Sequence, residues 1–96
     1  MGVYIDSMNK PYGRMIMCHM VADSQEELLN MARKIGLNIR WLQYPNTYKE
    51  HFDISLGYKA KALAHGAKEI SRKELGAFLK SRKSSSPCIK TYFILT

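Results

Sequence analysis

The sequence predicts a small single domain of the α/β or α+β class, with about four to five short strands and three helices packed on the sheet. Segments rich in β-branched and aromatic residues alternate along the chain with segments whose apolar residues recur at helical spacing. The chain has 96 residues, enough for one hydrophobic core. Its 46% hydrophobic and 24% charged residues are typical of a globular protein and exclude a disordered one.

Runs of β-branched and aromatic residues predict the strands. They lie at residues 3–5, 15–20, 38–42 and 89–95, with a further extended piece at 67–70. A turn at residues 10–13 separates the first two strands. Only about eight residues join these strands, and a parallel crossover needs a dozen or more, so they can pair only antiparallel. The second strand is apolar on both faces, so we expect it to be central and covered on both sides.

Capping residues and apolar spacing predict the helices. Two helices open with the Ser-x-x-Glu spacing of a capping box, at Ser24 with Glu27 and at Ser71 with Glu74. Gly36 ends the first of them, and its inward-facing residues are Leu28, Met31, Ala32 and Ile35. The helix between them follows residues 51–55 and has an apolar stripe of Leu56, Ala60, Leu63 and Ala64. The last helix points Leu75, Phe78 and Leu79 inward.

The chain is predicted to divide into three parts: a domain at residues 1–80, a serine-rich linker at 81–87 and a C-terminal strand at 88–96 that joins the same domain. No apolar run approaches the roughly 20 residues that cross a bilayer. The N-terminus lacks the basic and apolar regions of a signal peptide. We therefore expect a cytoplasmic protein without a membrane partner, in which Cys18 and Cys88 are reduced.

The positive charge is unevenly distributed. Of a net charge of +7, residues 1–48 hold five Lys/Arg against four Asp/Glu, and residues 49–96 hold ten against four. This asymmetry favours an anionic partner, such as nucleic acid, a nucleotide or an acidic protein. The predicted anion-binding patch consists of Lys59, Lys61, Arg72, Lys73, Lys80, Arg82 and Lys83. An ordinary solvated basic surface explains the same charges.

Five polar side chains lie at predicted element ends, where sites on α/β folds are commonly found. They are Asp6, His19, Asp23, His51 and Asp53. Imidazoles with carboxylates suit a divalent ion such as Zn, Mn or Fe, and a His beside a carboxylate suits proton transfer. Separate structural roles explain the same residues, since an Asp can cap a helix and a His can lie hydrogen-bonded in a core. We treat the last four as candidate catalytic residues or metal ligands, with Asp6 as the weaker candidate.

Geometry separates Asp6 from the others. In a hairpin of the first two strands, Asp6 lies at the turn end and His19 at the far end. A five-residue strand then places them about 15 Å apart. We therefore expect Asp6 to neighbour Tyr12, Gly13 and Arg14 instead.

The most specific motifs of the chain are Cys-His-Met-x-Ala-Asp at residues 18–23 and His-Phe-Asp at residues 51–53. Through them the chain resembles, over roughly residues 3–74, an uncharacterised family of short bacterial and tailed-phage proteins, the domain of unknown function 4031. Members usually have Tyr where this chain has Phe52. The resemblance implies a phage or prophage accessory protein inside a bacterial host cell. It also implies that the His and Asp residues of the motifs, with Asp6, are the family's polar positions, but it supplies no activity.

Two classes of function stay open. The favoured hypothesis is a non-enzymatic module that binds an anionic partner, with host takeover or counter-defence as the role that a phage context implies. The alternative is a metal-dependent phosphoesterase or nuclease with a His/Asp site. A third interpretation, action through protein contacts alone as in toxin–antitoxin systems, depends on that context only. The sequence leaves homo-oligomerisation open.

Overall fold

A computed structural model describes residues 2–7, 10–12 and 15–85, which form one mixed sheet and three α-helices. The elements, in chain order, are β1 (Val3–Asp6), β2 (Lys10–Tyr12), β3 (Met15–Ala22), α1 (Gln25–Ile35), a 3₁₀ helix (Ile39–Trp41), β4 (Phe52–Ser55), α2 (Leu56–Ala64), β5 (Lys68–Ile70) and α3 (Arg72–Ser85). The predicted small α+β fold is confirmed.

The sheet is built around β3, its longest strand. Strand β4 pairs antiparallel along one edge of β3. Strands β1 and β2 both pair antiparallel along the other edge of β3. Strand β2 pairs with the first part of β3, with Lys10 opposite Met17, and β1 pairs with the last part, with Ile5 opposite Met20. Strand β5 extends the sheet by pairing parallel to β1. The predicted antiparallel pairing of the first strand with Met15–Ala22 is confirmed, and β3 occupies the central position predicted for it.

Two hydrophobic clusters cover the two faces of the sheet. On one face, Cys18 and Met20 pack with Phe52 and Ile54 of β4 against α1 and α2. On the opposite face, Val21 packs with residues of β5 and α3. Because successive side chains of a strand point to opposite faces, His19 lies on the same face as Val21, beneath α3.

Helix α1 follows the prediction closely. The Ser24 hydroxyl oxygen accepts a hydrogen bond from the Glu27 backbone N–H at 3.2 Å. Gly36 ends the helix with φ 77°, a left-handed conformation that glycine adopts without steric cost. The buried residues of the helix are Leu28, Met31, Ala32 and Ile35, as predicted.

One predicted strand is wrong, and one strand was not predicted. Residues 39–41 form a 3₁₀ helix rather than a strand, because the Asn38 side chain accepts a hydrogen bond from the Arg40 backbone N–H and offers the chain a local turn. Residues 52–55, which the sequence assigned only as the segment that leads into α2, form strand β4. Phe52 and Ile54 are buried, whereas their neighbours point to the opposite face, and this alternation is a period-two pattern.

The predicted apolar stripe of α2 is also wrong. Its buried residues are Lys59 and Ala62, whereas Leu56 and Leu63 are exposed. Helix α2 is short and contains apolar residues on several sides, so packing against β4 and α1 decides its rotation. The Lys59 stem is buried, and its ammonium group reaches Glu69 Oε2 at 2.6 Å.

Two further predicted segments have different bounds in the structure. The predicted turn at 10–13 contains strand β2. The predicted linker begins within α3, which continues to Ser85. Residues 86–87 of that linker, the predicted C-terminal strand and Cys88 lie outside the described residues.

None of the helices in the described part of the chain combines the length and apolar character of a membrane span.

Candidate metal centre on the sheet

Three of the candidate residues converge on the face of the sheet opposite the α1 and α2 core. His19 of β3 lies directly opposite Asp53 of β4, and His51 precedes Asp53 by two residues, so all three share that face. Asp53 Oδ1 lies 3.5 Å from His19 Nε2 and 3.4 Å from His51 Nε2. One ligand atom from each residue lies within 4.8 Å of the others. This spacing is compatible with one divalent ion.

Asp6 orients the His19 ring. Its Oδ2 lies 2.8 Å from His19 Nδ1, and its Oδ1 accepts the His19 backbone N–H at 3.0 Å. Asp6 is fully buried, so this carboxylate stays in place only because its oxygens are hydrogen-bonded. A carboxylate accepts hydrogen bonds, so Nδ1 donates to Asp6 and Nε2 is the ring nitrogen that faces Asp53.

The expected separation of about 15 Å between Asp6 and His19 is wrong. Strand β3 has eight residues, and β2 pairs with its first part. Strand β1 therefore pairs with the far part of β3, where Ile5 is opposite Met20. One residue further along, Asp6 reaches His19.

A backbone carbonyl orients the second histidine. The carbonyl oxygen of Lys49 lies 2.7 Å from His51 Nδ1. A carbonyl oxygen can only accept, so Nδ1 donates to it and Nε2 is the ring nitrogen that faces Asp53. The Tyr44 ring stacks on the His51 ring with centroids 6.0 Å apart, which further limits rotation of the imidazole.

The Asp53 carboxylate is also oriented by a hydrogen bond, made by the oxygen that does not face the imidazoles. Gln43 Nε2 donates to Asp53 Oδ2 at 2.6 Å, which leaves Oδ1 facing the two imidazoles. Gln43 is itself fixed by two backbone hydrogen bonds to His51, at 2.9 and 3.1 Å. Metal-binding histidines and carboxylates in proteins characteristically have such outer partners, which set the tautomer and aim the ligand atom.

Both Nε2 atoms therefore face the same carboxylate oxygen, Asp53 Oδ1. A cation between the three atoms would be coordinated by all of them. Two imidazoles and one carboxylate form a donor set that suits Zn, Fe or Mn and leaves further coordination positions for solvent.

Asp23 does not belong to this cluster, which among the described residues consists of His19, His51 and Asp53. Asp23 Oδ2 instead accepts a hydrogen bond from the Tyr4 hydroxyl at 3.1 Å. Burial, followed by this hydrogen bond, raises the pKa of the Tyr4 phenol. Asp23 is not the helix cap either, because Ser24 occupies that position. Asp53 lies in a strand and caps no helix.

Two pockets adjoin the triad. The larger, of about 820 Å³, reaches from His19 and Asp53 towards Arg40, Trp41 and Tyr58. The smaller, of about 230 Å³, lies beneath α3. Its lining includes His19, His51, Tyr44, Lys49 and Leu75. The side chain of His19 is 31% exposed and that of Asp53 36%, so the triad is accessible from solvent.

Two of the seven residues of the predicted anion-binding patch are not exposed. Lys59 is buried and paired with Glu69. Arg82 lies on α3 and is partly buried against the loop that precedes β4. Its Nη2 donates to the Thr47 carbonyl oxygen at 3.4 Å and lies 3.9 Å from Glu50 Oε1. Burial lowers the pKa of the Arg82 guanidinium, and the Glu50 carboxylate partly offsets this effect. The remaining residues are exposed, and they are Lys61, Arg72, Lys73, Lys80 and Lys83.

Sequence reasoning missed the residues that support the triad. No local sequence pattern marks Gln43 or the Lys49 carbonyl as part of a site. They reach it because a backbone bridge pairs Gln43 with His51. Glu50 is 2% exposed and holds the intervening loop by accepting hydrogen bonds from Gln25 Nε2 at 2.5 Å and the Asn46 backbone N–H at 2.8 Å. A buried Glu between polar neighbours cannot be recognised from its sequence context.

Comparison with known proteins identifies the family and leaves the activity open. No curated protein and no solved structure matches the chain. One family matches residues 3–82, a region that contains every residue of the triad and every side chain that supports it. The chain therefore belongs to the family described as "Protein of unknown function (DUF4031)".

Proposed function

We propose that this protein is a metal-dependent phosphoesterase whose single divalent ion is held by His19, His51 and Asp53. The observation that carries the proposal is the convergence of three possible ligand atoms, each on a side chain that is hydrogen-bonded through its other polar atom. A purely structural His–Asp contact has no need of two separately oriented imidazoles aimed at one oxygen. The spacing and the outer partners are both those of protein metal sites.

Hydrolysis is the reaction class that this donor set suits best. A divalent ion with three protein ligands keeps positions open for water and substrate, lowers the pKa of the bound water towards about 7 and polarises the bond that is attacked. The chain's own residues hold the ligand atoms in place and give access through the pocket beside Asp53.

Charge around the triad favours a phosphoester substrate. Arg40 lines the larger pocket and Lys49 lines the smaller one, so each pocket beside the triad has a cationic residue in its lining. The whole chain carries a net charge of +7, which attracts anions at long range. This proposal replaces simple anion binding as the preferred function, because a binding surface would not require the His–His–Asp arrangement.

The first experiment measures metal binding by protein purified without a histidine tag and stripped with a chelator. Calorimetric titration with Mn²⁺ and Zn²⁺ is expected to show one site per chain. Asp53→Asn removes the ligand charge and should weaken binding by more than about 100-fold, beyond the range seen for outer partners. Asp23→Asn is the matched control, because it makes the same change at an exposed Asp outside the cluster, and it should bind normally.

Hydrolysis of bis-p-nitrophenyl phosphate by the metal-loaded protein then tests the reaction class. Activity should require the metal and disappear in Asp53→Asn but persist in Asp23→Asn. Absence of metal binding by the wild type, or equal binding by Asp53→Asn, would refute the metal centre. Stoichiometric metal binding without hydrolysis of any phosphoester would refute the proposed phosphoesterase activity and leave the metal centre standing.

A further inference from the structure

We propose that the larger pocket beside the triad is a nucleotide subsite, in which Trp41 stacks on the base and Arg40 contacts the phosphate. This inference deepens the proposed function, since the substrate becomes a small nucleotide phosphoester whose phosphate reaches the metal centre. The base subsite is argued from the pocket itself, so it can be tested separately from the metal.

The lining of the pocket combines polar and apolar side chains. His19, Gln43 and Asp53 lie together in it, at the proposed metal position. The rest of the lining is mainly apolar and aromatic, and includes Met17, Leu37, Trp41, Leu42 and Tyr58. A ligand that fills it must therefore join a charged group to a flat or apolar group, and a nucleotide has this chemistry.

Trp41 is the side chain that a base would meet. Its side chain is 54% exposed, although it is the largest apolar residue of the chain. The 3₁₀ helix that carries it is fixed by the Asn38 side chain, which accepts the Arg40 backbone N–H at 2.9 Å. A half-exposed aromatic ring in a pocket wall can serve as a platform on which a base stacks.

The charges around the pocket match a phosphate. Arg40 precedes Trp41 and lines the same pocket, so its guanidinium and the indole can contact two parts of one ligand. The Lys61 ammonium lies 5.4 Å from the ring centroid of Tyr58, which lines the pocket from α2, and adds a second positive charge. Arginine binds phosphate through its planar fork of donors.

The dimensions favour a small ligand. A volume of about 820 Å³ lies within the range of sites for small molecules and cofactors, roughly 300–1,000 Å³. A base within a duplex has its faces covered by neighbouring bases, so it cannot stack on Trp41. The occupant is therefore a free nucleotide phosphoester rather than double-stranded nucleic acid.

Fluorescence gives a direct test, because Trp41 is the single tryptophan of the chain. Adenosine and AMP should quench its emission, whereas ribose 5-phosphate, which has no base, should not. Adenosine quenching should persist in wild-type protein stripped of metal with a chelator, because the base subsite does not need the metal. AMP affinity, in contrast, should rise when Mn²⁺ is added to the wild type.

Variants of Trp41 and Arg40 test the base contact and the phosphate contact separately. Binding is measured by calorimetry on Mn²⁺-loaded protein. Trp41→Ala should weaken AMP binding by roughly 10–100-fold, while Trp41→Phe keeps it within a few-fold. Neither variant should change ribose 5-phosphate or Mn²⁺ affinity, which also shows that the fold is intact. Arg40→Gln should weaken both AMP and ribose 5-phosphate, whereas Arg33→Gln, an exposed arginine on α1, should weaken neither.

Three results would overturn the inference. The first is an unquenched Trp41 at saturating adenosine or AMP. The second is equal AMP affinity in the wild type and Trp41→Ala. The third is binding of a single-stranded oligonucleotide at least about tenfold tighter than AMP, which would make the substrate a polymer. Loss of Mn²⁺ binding with adenosine quenching preserved would instead refute the metal centre and leave the base subsite standing.

Discussion

Asp6 determines the orientation of His19, although it does not face the proposed metal position. Its two carboxylate oxygens accept hydrogen bonds from His19, one from the backbone N–H and one from the ring Nδ1. A buried carboxylate is costly unless it is paired, so this arrangement stabilises one conformation of His19. Asp6 therefore acts as a positioning residue, and the chemistry belongs to His19, His51 and Asp53.

Asp6→Asn tests this role at the scale of one residue. The amide keeps the size of the carboxylate but loses its charge and one acceptor, so His19 is no longer held in a single tautomer. Mn²⁺ affinity, measured by calorimetry, should fall about 10–100-fold. Imidazole ¹⁵N spectra should show a mixture of His19 tautomers, which a merely destabilised fold would not produce. Unchanged affinity together with an unchanged tautomer would contradict the positioning role.

At the scale of elements, α3 covers the face of the sheet on which the triad lies. Leu75 of α3 packs against Val21 and also lines the smaller pocket. The helix begins at a capping box, in which the Ser71 backbone N–H donates to Glu74 Oε1 at 2.8 Å and the Glu74 N–H donates to Ser71 Oγ at 3.1 Å. The backbone hydrogen bond from Ser71, followed by its side-chain hydrogen bond, lowers the pKa of the Glu74 carboxyl.

This lowered pKa predicts a pH-dependent contribution to stability. The contribution is fully present above the ordinary pKa of 4.5 and is lost as the pH falls through the lower native value. Glu74→Gln keeps a hydrogen-bond acceptor but cannot ionise. Urea denaturation should therefore show the wild type as the more stable protein at pH 7, with a difference that shrinks below pH 4.5. A difference that is independent of pH would contradict the assignment.

Ser71→Ala tests the other half of the same capping box. It removes the hydroxyl that caps the Glu74 N–H and should lower the free energy of unfolding by about 1 kcal/mol at neutral pH.

At the scale of the whole molecule, the triad exists only when the chain is folded. His19 comes from β3, whereas His51 and Asp53 follow a loop that Glu50 ties to α1 through Gln25. The positive φ values of Tyr44 and Asn46, 51° and 64°, show how tightly that loop turns. A ligand that binds all three residues binds the native state and not the unfolded chain, so it must stabilise the fold.

Metal ions should therefore raise the melting temperature. At a free Mn²⁺ or Zn²⁺ concentration of 100 times the Kd, linkage gives about 2.7 kcal/mol of stabilisation. For a domain of this size that corresponds to a shift on the order of 10 °C. Differential scanning calorimetry measures the shift, which Asp53→Asn should abolish and Asp23→Asn should retain. An equal shift in both variants would show that the ion binds elsewhere.

The sequence by itself determined the features that depend on local pattern. The α+β class follows from periodicity, and both capping boxes and the end of α1 at Gly36 follow from spacing within one helical turn. The His-Phe-Asp motif also marked His51 and Asp53 as a pair of candidate residues, although only the structure shows that this segment is extended and that the two share a face.

Tertiary structure alone decided which partners meet. Asp6, rather than Asp23, reaches His19 because β2 pairs with the first part of β3 and thereby sets the register of β1. Lys59 is buried because packing, not the count of apolar residues, sets the rotation of α2. Register and rotation are decided by contacts between segments far apart in the chain, and no local pattern encodes them.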